Sequence, residues 1–325
     1  MSSINKKCKY FVTIFAITLL FVFSFGLNSF AVNKAISIAT GGITGTYYPL
    51  GGCMANIISQ YVTGVTATAE ATGGSVANMR MLQTGEVQLG FVGASSSFPV
   101  FSGLPPYDKD PCDKVRSIAS LYPEAHQIIV KKNSGINSID DLRGKKIAVG
   151  APGSGTVLSA KIVLEEHKLT FEDFTPIYLS FNEGVTGLKD GTVDAVIIFA
   201  GAPTSSVIDV TSTLDVKLLS YDPAAKKRLL ENYNYFVLVT LPKDMYRGME
   251  EDVYTLGTPA ILATSIEQDE EFIYEITKAI FEHTKELGEA HVQGKNINLE
   301  NAILGLPMPL HPGAEKYYKE VGAIK

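Results

Sequence analysis

The chain has 325 residues, 46% hydrophobic and 19% charged, with a formal charge of −6. This is globular composition, long enough for about two domains, and an acidic chain without a basic run is a poor partner for nucleic acid or anionic lipid. Any anion it holds must be held by local dipoles.

Lys6, Lys7 and Lys9 precede an apolar run over residues 10–27, and Ser29-Phe30-Ala31 places small residues at the two positions that a signal peptidase reads. Residues 1–31 are therefore expected to be a cleaved secretory signal. A retained anchor is the alternative, because the run is just long enough to span a bilayer. Cleavage removes three lysines and no acid, taking the formal charge from −6 to −9. Cys8 lies before the apolar run instead of at the cleavage point, which argues against lipidation. The mature chain is then secreted or periplasmic, where Cys53 and Cys112 could be two isolated small apolar residues or a disulfide.

"ISIATGGITGTYYPLGGCMANIISQ" (36–60) reads as strand, glycine-rich turn, and a helix starting near Tyr48-Pro49. A second strand (65–69) and a helix (75–83) follow. "LQTGEVQLGFVGAS" (82–95) then gives Leu-x-x-Gly-x-Val, an apolar strand and Gly-Ala. "AHQIIVKKN" (125–133) reads as a crossing strand. The whole pattern then recurs: strand 147–149, glycine loop 150–155, helix 156–166 with Val157, Ala160, Ile162 and Val163 mostly on one side, strand 175–179, helix 183–188, and "LKDGTVDAVIIFAGAP" (188–203). "GTPAILATS" (257–265) is a second crossing strand. A long amphipathic helix over about 269–287 carries Phe272, Ile276, Ala279, Ile280 and Leu287 toward a core.

The repeat is offset by 111 residues at its first strand and 106 at its Leu-x-x-Gly-x-Val motif. Strand–helix alternation builds a mostly parallel sheet whose crevice lies beyond the carboxyl ends of the strands, where both glycine turns fall. The expected architecture is α/β with two lobes: lobe 1 from 32–127 and 256–325, lobe 2 from 128–255, joined by a two-strand hinge. Such a scaffold closes on a small ligand.

"GGITGTYYPLG" (41–51), "ATGGSVANM" (71–79), "LYPEAHQIIV" (121–130), "VGAPGSGT" (149–156), "DAVIIFAGAPTSSV" (194–207) and "PLHPGAEKYYKE" (309–320), in that order, resemble the TAXI family of extracytoplasmic receptors of tripartite ATP-independent periplasmic (TRAP) transporters. The resemblance spans nearly all of residues 34–325. It implies a type II periplasmic-binding-protein fold with its ligand in the interlobe cleft. It also implies a small acidic solute such as glutamate, glutamine or a C4/C5 dicarboxylate, delivered to the membrane permease subunits. Related DctP-type receptors clasp the ligand carboxylate with arginine and TAXI receptors generally do not; no arginine lies in any glycine turn here.

Candidate ligand contacts follow. Gly45, Thr46 and Tyr47 form the first turn, where the Thr46 hydroxyl and backbone N–H groups suit a carboxylate and Tyr47 suits its aliphatic part. Ser75, an N-cap by pattern, and Asn78 start the next helix; Ser95 ends a strand. Tyr122, Glu124 and His126 stand at the first crossing, where Glu124 facing the cleft would pair with a ligand ammonium and favour an amino acid. Gly153, Ser154, Gly155 and Thr156 form the second glycine turn, and Gly201, Pro203 and Thr204 follow the last strand of the repeat.

Other chemistries fit poorly. The loop "GAPGSGT" has no lysine until Lys161 for a P-loop, and Leu158 stands where a dinucleotide turn needs its third glycine. No Gly-x-Ser-x-Gly elbow or positioned Ser-His-Asp trio is present, so no enzyme is expected. No metal or cofactor is expected either: His167, His283 and His291 lie in polar surroundings without a carboxylate at ligand spacing and read as surface residues. His311, Tyr317 and Tyr318 read as docking the C-terminus on lobe 1. Signalling to a membrane sensor is the alternative use of such a clamp.

Overall fold

A computed structural model of the chain describes residues 34–325. The expected signal segment lies outside the described residues.

Strand β1 (Lys34–Ala39) leads to helix α1 (Tyr47–Tyr61), β2 (Val65–Glu70), α2 (Ser75–Thr84), β3 (Leu89–Gly93) and α3 (Ala94–Phe101). The long β4 (Val115–Lys131) carries the chain to β5 (Lys146–Ala148), α4 (Gly155–Glu166), β6 (Thr175–Ile177), α5 (Phe181–Asp190), β7 (Ala195–Ala200), α6 (Ser205–Thr213), β8 (Val216–Leu218), α7 (Pro223–Asn232) and β9 (Val237–Leu241). The long β10 (Val253–Ser265) returns to α8 (Glu270–Glu282), α9 (Thr284–Ala290) and α10 (Pro312–Glu320).

The strand order β2-β1-β3-β10-β4-β7-β5-β6 reads as the same four-strand half twice, related by reversal. Within each half the third strand, β3 or β7, is parallel to the first and antiparallel to a long strand, β10 or β4 respectively. The two long strands pair with each other from Gly257↔Ala125 to Ser265↔Val115, with register shifts at Ala260/Ile261 and Leu262/Ala263. They join the halves in one hydrogen-bonded ladder.

The repeated Leu-x-x-Gly-x-Val has a local cause. Leu82 and Leu188 are fully buried on the last turns of α2 and α5. Gly85 (φ 75°) and Gly191 (φ 76°) take the left-handed cap conformation that a side chain would oppose. Glu86 N and Thr192 N donate back to Met81 O and Gly187 O at 2.9 Å, which drops Val87 and Val193 into the core.

Helix α1 buries Leu50, Met54, Ile57 and Ile58 at helical spacing. In α4 the buried positions are Thr156, Ser159, Ala160, Val163 and Leu164, with Val157 and Ile162 only half-buried. The apolar stripe is thus rotated from the one the sequence suggests, toward small polar residues packed against α3.

The single helix expected over 269–287 is broken at His283, whose φ/ψ of −120°/27° ends α8 and opens α9. There the imidazole stacks on Tyr61, ring centroids 3.5 Å apart, and its Nδ1 lies 3.2 Å from Glu286. The break lets Leu287 reach the core that α1 covers. His167, His283 and His291 are half-buried instead of surface groups. Cys53 and Cys112 are both free. His311 is buried and caps α10 by accepting from Gly313 N, while Tyr318 donates to Ile118 O at 3.0 Å, docking the C-terminal helix on β4.

Where β4 and β10 pass between halves, Gly257 admits no side chain: a Cβ there would stand 2.4 Å from Glu124 O and 2.6 Å from Val239 Cγ2. Gly257→Ala is expected to destabilise the chain by about 1–3 kcal/mol in urea unfolding, and an unchanged midpoint would contradict this packing.

Candidate functional site

Every helix of the repeat starts at the carboxyl end of a strand, so the two halves place several helix N-termini against one space. That space is a cavity of about 80 Å³, on the order of six waters' worth. Its wall includes Gly41, Gly45, Thr46 and Tyr47 from the β1–α1 turn, Thr72, Gly73, Gly74 and Ser75 from the start of α2, and Glu124 from β4. From the other half come Ala151, Ser154, Gly155 and Thr156, Ser180 and Phe181 at the start of α5, and Phe199 and Ala200 on β7. No lysine, arginine or histidine among the described residues lines it.

The halves meet around this cavity. Thr46 Oγ1 donates to Gly201 O at 2.8 Å, and Val76 N and Ala77 N both donate to Gly153 O at 3.1 Å. Ser95 Oγ and Ser159 Oγ share a 2.7 Å hydrogen bond. Gln293 Nε2 donates to Ala202 O. A Cβ on Gly155 would lie 2.7 Å from both Ser75 Oγ and Ser96 Oγ, so the bare backbone of the α4 start is what permits the approach.

Four helix N-termini face the space, each with unpaired N–H groups and a positive dipole end. Those of α2 are partly taken by Gly153 O. That of α5 is closed by a capping box between Ser180 and Glu183. At α4, Ser154 Oγ accepts only from Val157 N. The Thr156 hydroxyl finds no partner among the described residues. At α1 the cap residue Thr46 gives no side-chain cap, because its hydroxyl is engaged with Gly201. The N-termini of α1 and α4 therefore keep donors for an anion.

Among the described residues Glu124 is the one ionisable carboxyl on the wall, 3% exposed. Its Oε2 accepts from the Tyr47 phenol at 2.9 Å, and Oε1 has no partner among the described residues. Burial pushes the carboxyl up from 4.5 to about 8, only partly offset by the Tyr47 hydrogen bond. The same desolvation, reinforced by Glu124, raises the Tyr47 and Tyr122 phenols well above their usual range.

Of the sequence candidates, Gly45, Thr46, Tyr47, Ser75, Glu124, Ser154, Gly155 and Thr156 line the cavity. The others stand behind it. Asn78 is fully buried and donates to Thr40 O and Phe91 O at 2.6 and 2.7 Å while accepting from Thr72 Oγ1, so it fixes the wall without reaching the space. Ser95 is spent on Ser159 and Thr258. Gly153 and Gly201 offer their carbonyls to the opposite half. Thr204 sits in a network with Gln127, Tyr246 and Gly201, after the cis peptide Ala202–Pro203. Tyr122 is buried off the wall.

His126, two residues past Glu124 on β4, is buried with Nδ1 against the Tyr221 hydroxyl. Burial lowers its imidazole to about 3, so it is neutral. Sequence reading missed Gly41, Thr72, Gly73, Gly74, Ser180, Phe181 and Phe199. The Ser180-x-x-Glu183 capping signature was the available signal for that loop.

A larger, shallower depression of about 620 Å³ includes Arg143, His167, Tyr221 and Arg228. Its arginines are already paired, Arg143 with Asp173 and Arg228 with Glu166, whereas the smaller cavity keeps unspent polar groups. The smaller one is the candidate site.

With this geometry in place, comparison with known proteins gives the class. The chain has the periplasmic-binding-protein type II fold. It is similar to PhnD1 from Prochlorococcus marinus in complex with methylphosphonate (12% identity, TM-score 0.55, covering 90% of this chain and 100% of that one). It is also similar to the alkanesulfonate-binding protein SsuA from Xanthomonas axonopodis pv. citri bound to MOPS (16%, 0.51, 89% and 91%). A substrate binding protein of an amino acid ABC transporter matches at 14% identity and TM-score 0.50, over 79% of this chain and 97% of that one. The NMT1-like family matches residues 38–322, and the chain belongs to that family. Among the described residues no helix is long and apolar enough to cross a membrane.

A carboxyl raised to about 8 makes the folded protein hold a proton that the unfolded chain releases near 4.5, so its contribution to stability is lost as pH rises through that window. His126 acts oppositely, losing stability as pH falls from 6.5 toward 3. Above 6.5 only the Glu124 effect remains of the two. Ligand-free protein is expected to melt progressively lower from pH 6.5 to 9 and Glu124→Gln to flatten that slope; equal slopes would contradict the assignment.

Proposed function

We propose that the protein is an extracytoplasmic solute receptor of the TAXI type. It captures a small acidic solute, of the glutamate, glutamine or C4/C5 dicarboxylate class, and presents it to the membrane permease subunits of a TRAP transporter. Residues 32–127 and 256–325 act as one lobe and 128–255 as the other, hinged at the β4–β10 crossing. The observation that carries this reading is the cavity walled by residues of both halves, with helix N-termini from each that keep N–H donors.

The mechanism is a shift of population. Empty lobes exchange between open and closed arrangements, and a solute that touches both halves favours closure by the difference in its affinity for the two. A solute carboxylate takes the Gly155 and Thr156 N–H groups and the Thr156 hydroxyl, in a site where desolvation strengthens each charge-assisted bond. Phe181, Phe199 and Tyr47 cover the carbon skeleton. Thr46, expected from sequence to donate to the solute, closes the clamp through Gly201 O instead, and its backbone remains for the ligand.

The family resemblance supports the TRAP assignment, and titratable groups positioned for chemistry are lacking among the wall residues apart from Glu124 and Tyr47. A thermal-shift screen with these acids should raise the melting temperature for at least one, since saturation at a hundredfold over Kd adds about 2.7 kcal/mol; no shift with any would contradict the proposal. Thr156→Val should weaken the bound solute by about 1–3 kcal/mol. Gly155→Ala should weaken it at least tenfold by obstructing closure, and full affinity in both variants would contradict the assigned contacts.

A further inference from the structure

Resting on the receptor reading above, we infer that the solute carries a protonated amine that docks on Glu124, with its carboxylate on the helix N-termini across the cavity: an α-amino acid, not a plain di- or oxo-acid.

The argument is one of charge complementarity. The cavity is amphoteric. Its positive ends are the N-termini of α1 and α4, which retain N–H donors, and the one acidic side chain among the described wall residues is Glu124. Glu124 comes from β4, between the halves, and its Oε1 is unclaimed while Oε2 holds the Tyr47 phenol. A carboxyl almost wholly buried, with no cation beside it among the described residues and facing the cavity, is costly to ionise unless something brings the opposite charge. No wall residue among those described does so, and the titratable groups near the carboxyl are Tyr47 from α1 and Tyr122 from β4 itself, with the bare Gly93 backbone alongside. His126, the nearest base along the strand, is neutral and turned to Tyr221.

A solute carboxylate placed against Glu124 would hold it in its protonated form, whereas an ammonium lets it ionise and completes a charge-assisted bond. The amine's arrival also changes the proton count. In the empty cavity Glu124 holds a proton at neutral pH. When an ammonium binds, that proton leaves to solvent and the carboxylate pairs with the amine, whose own three protons stay on nitrogen. Binding an amino acid is therefore linked to release of close to one proton below about pH 8, and binding an oxo-acid is not.

Calorimetry of the whole mature protein with matched pairs decides this, using L-glutamate against 2-oxoglutarate, L-leucine against 4-methyl-2-oxopentanoate, and L-phenylalanine against phenylpyruvate. Titrations at pH 6.5 in two buffers of different ionisation enthalpy count the protons. The expected result is at least a thirtyfold preference for the amino member of the pair that binds, with release of about one proton. Glu124→Gln should cut that preference tenfold or more while keeping or improving binding of the oxo-acid. A wild-type preference for the oxo-acid, or amino-acid binding without proton release, would overturn the inference while leaving the receptor reading intact. Both results come from the wild-type protein and do not depend on the variant folding. Failure of every pair and of glutarate and succinate to bind would remove the receptor reading and this inference with it.

Discussion

A carboxyl group withdrawn from water with no basic side chain beside it is the constraint on which the cavity depends. At neutral pH Glu124 meets that constraint by keeping its proton, and Tyr47 secures one oxygen at 2.9 Å. The surrounding wall has to remain free of lysine and arginine for this balance to hold, and the positive potential is supplied instead by backbone N–H groups at helix starts. Glycine and hydroxyl residues then follow from geometry. Side chains larger than these at Gly155 would strike Ser75 and Ser96 from the opposite half.

The arrangement is possible because the topology delivers it twice. Each half runs strand, helix, strand, helix, strand, and each turn after a parallel strand opens toward the same crevice. The β4–β10 ladder sets the two crevices face to face, since both strands continue from one half into the other and pair along most of their length. The halves are joined by hydrogen bonds such as Thr46 to Gly201 and Val76 and Ala77 to Gly153, and by apolar packing that includes Phe98 against Tyr235, ring centroids 5.9 Å apart.

Much of this architecture was legible in the sequence because it is written in local signals. The glycine after Leu82 and Leu188 marks helix ends by its left-handed conformation, the alternation of apolar runs marks strands, and the recurrence of both marks the duplication. The break at His283 was not legible. The apolar spacing of α8 continues through it toward Leu287, and the interruption comes from a tertiary contact with Tyr61. At the cavity, residues on glycine turns were found because a turn and a helix start can be seen in sequence. Asn78, Ser95 and Thr204 sit at equally plausible helix starts, yet their polar atoms are consumed by groups brought from distant segments. Phe181 and Phe199 were missed because an aromatic residue beside a strand end looks the same whether it faces a core or a cavity.

The most direct measurement is a crystal structure of the protein with the amino acid it binds most tightly. The account predicts the solute nitrogen within hydrogen-bonding distance of Glu124 Oε1 and its carboxylate on the Gly155 and Thr156 N–H groups, under a closed pair of lobes. A solute bound outside this cavity, or one with its carboxylate turned toward Glu124, would contradict it.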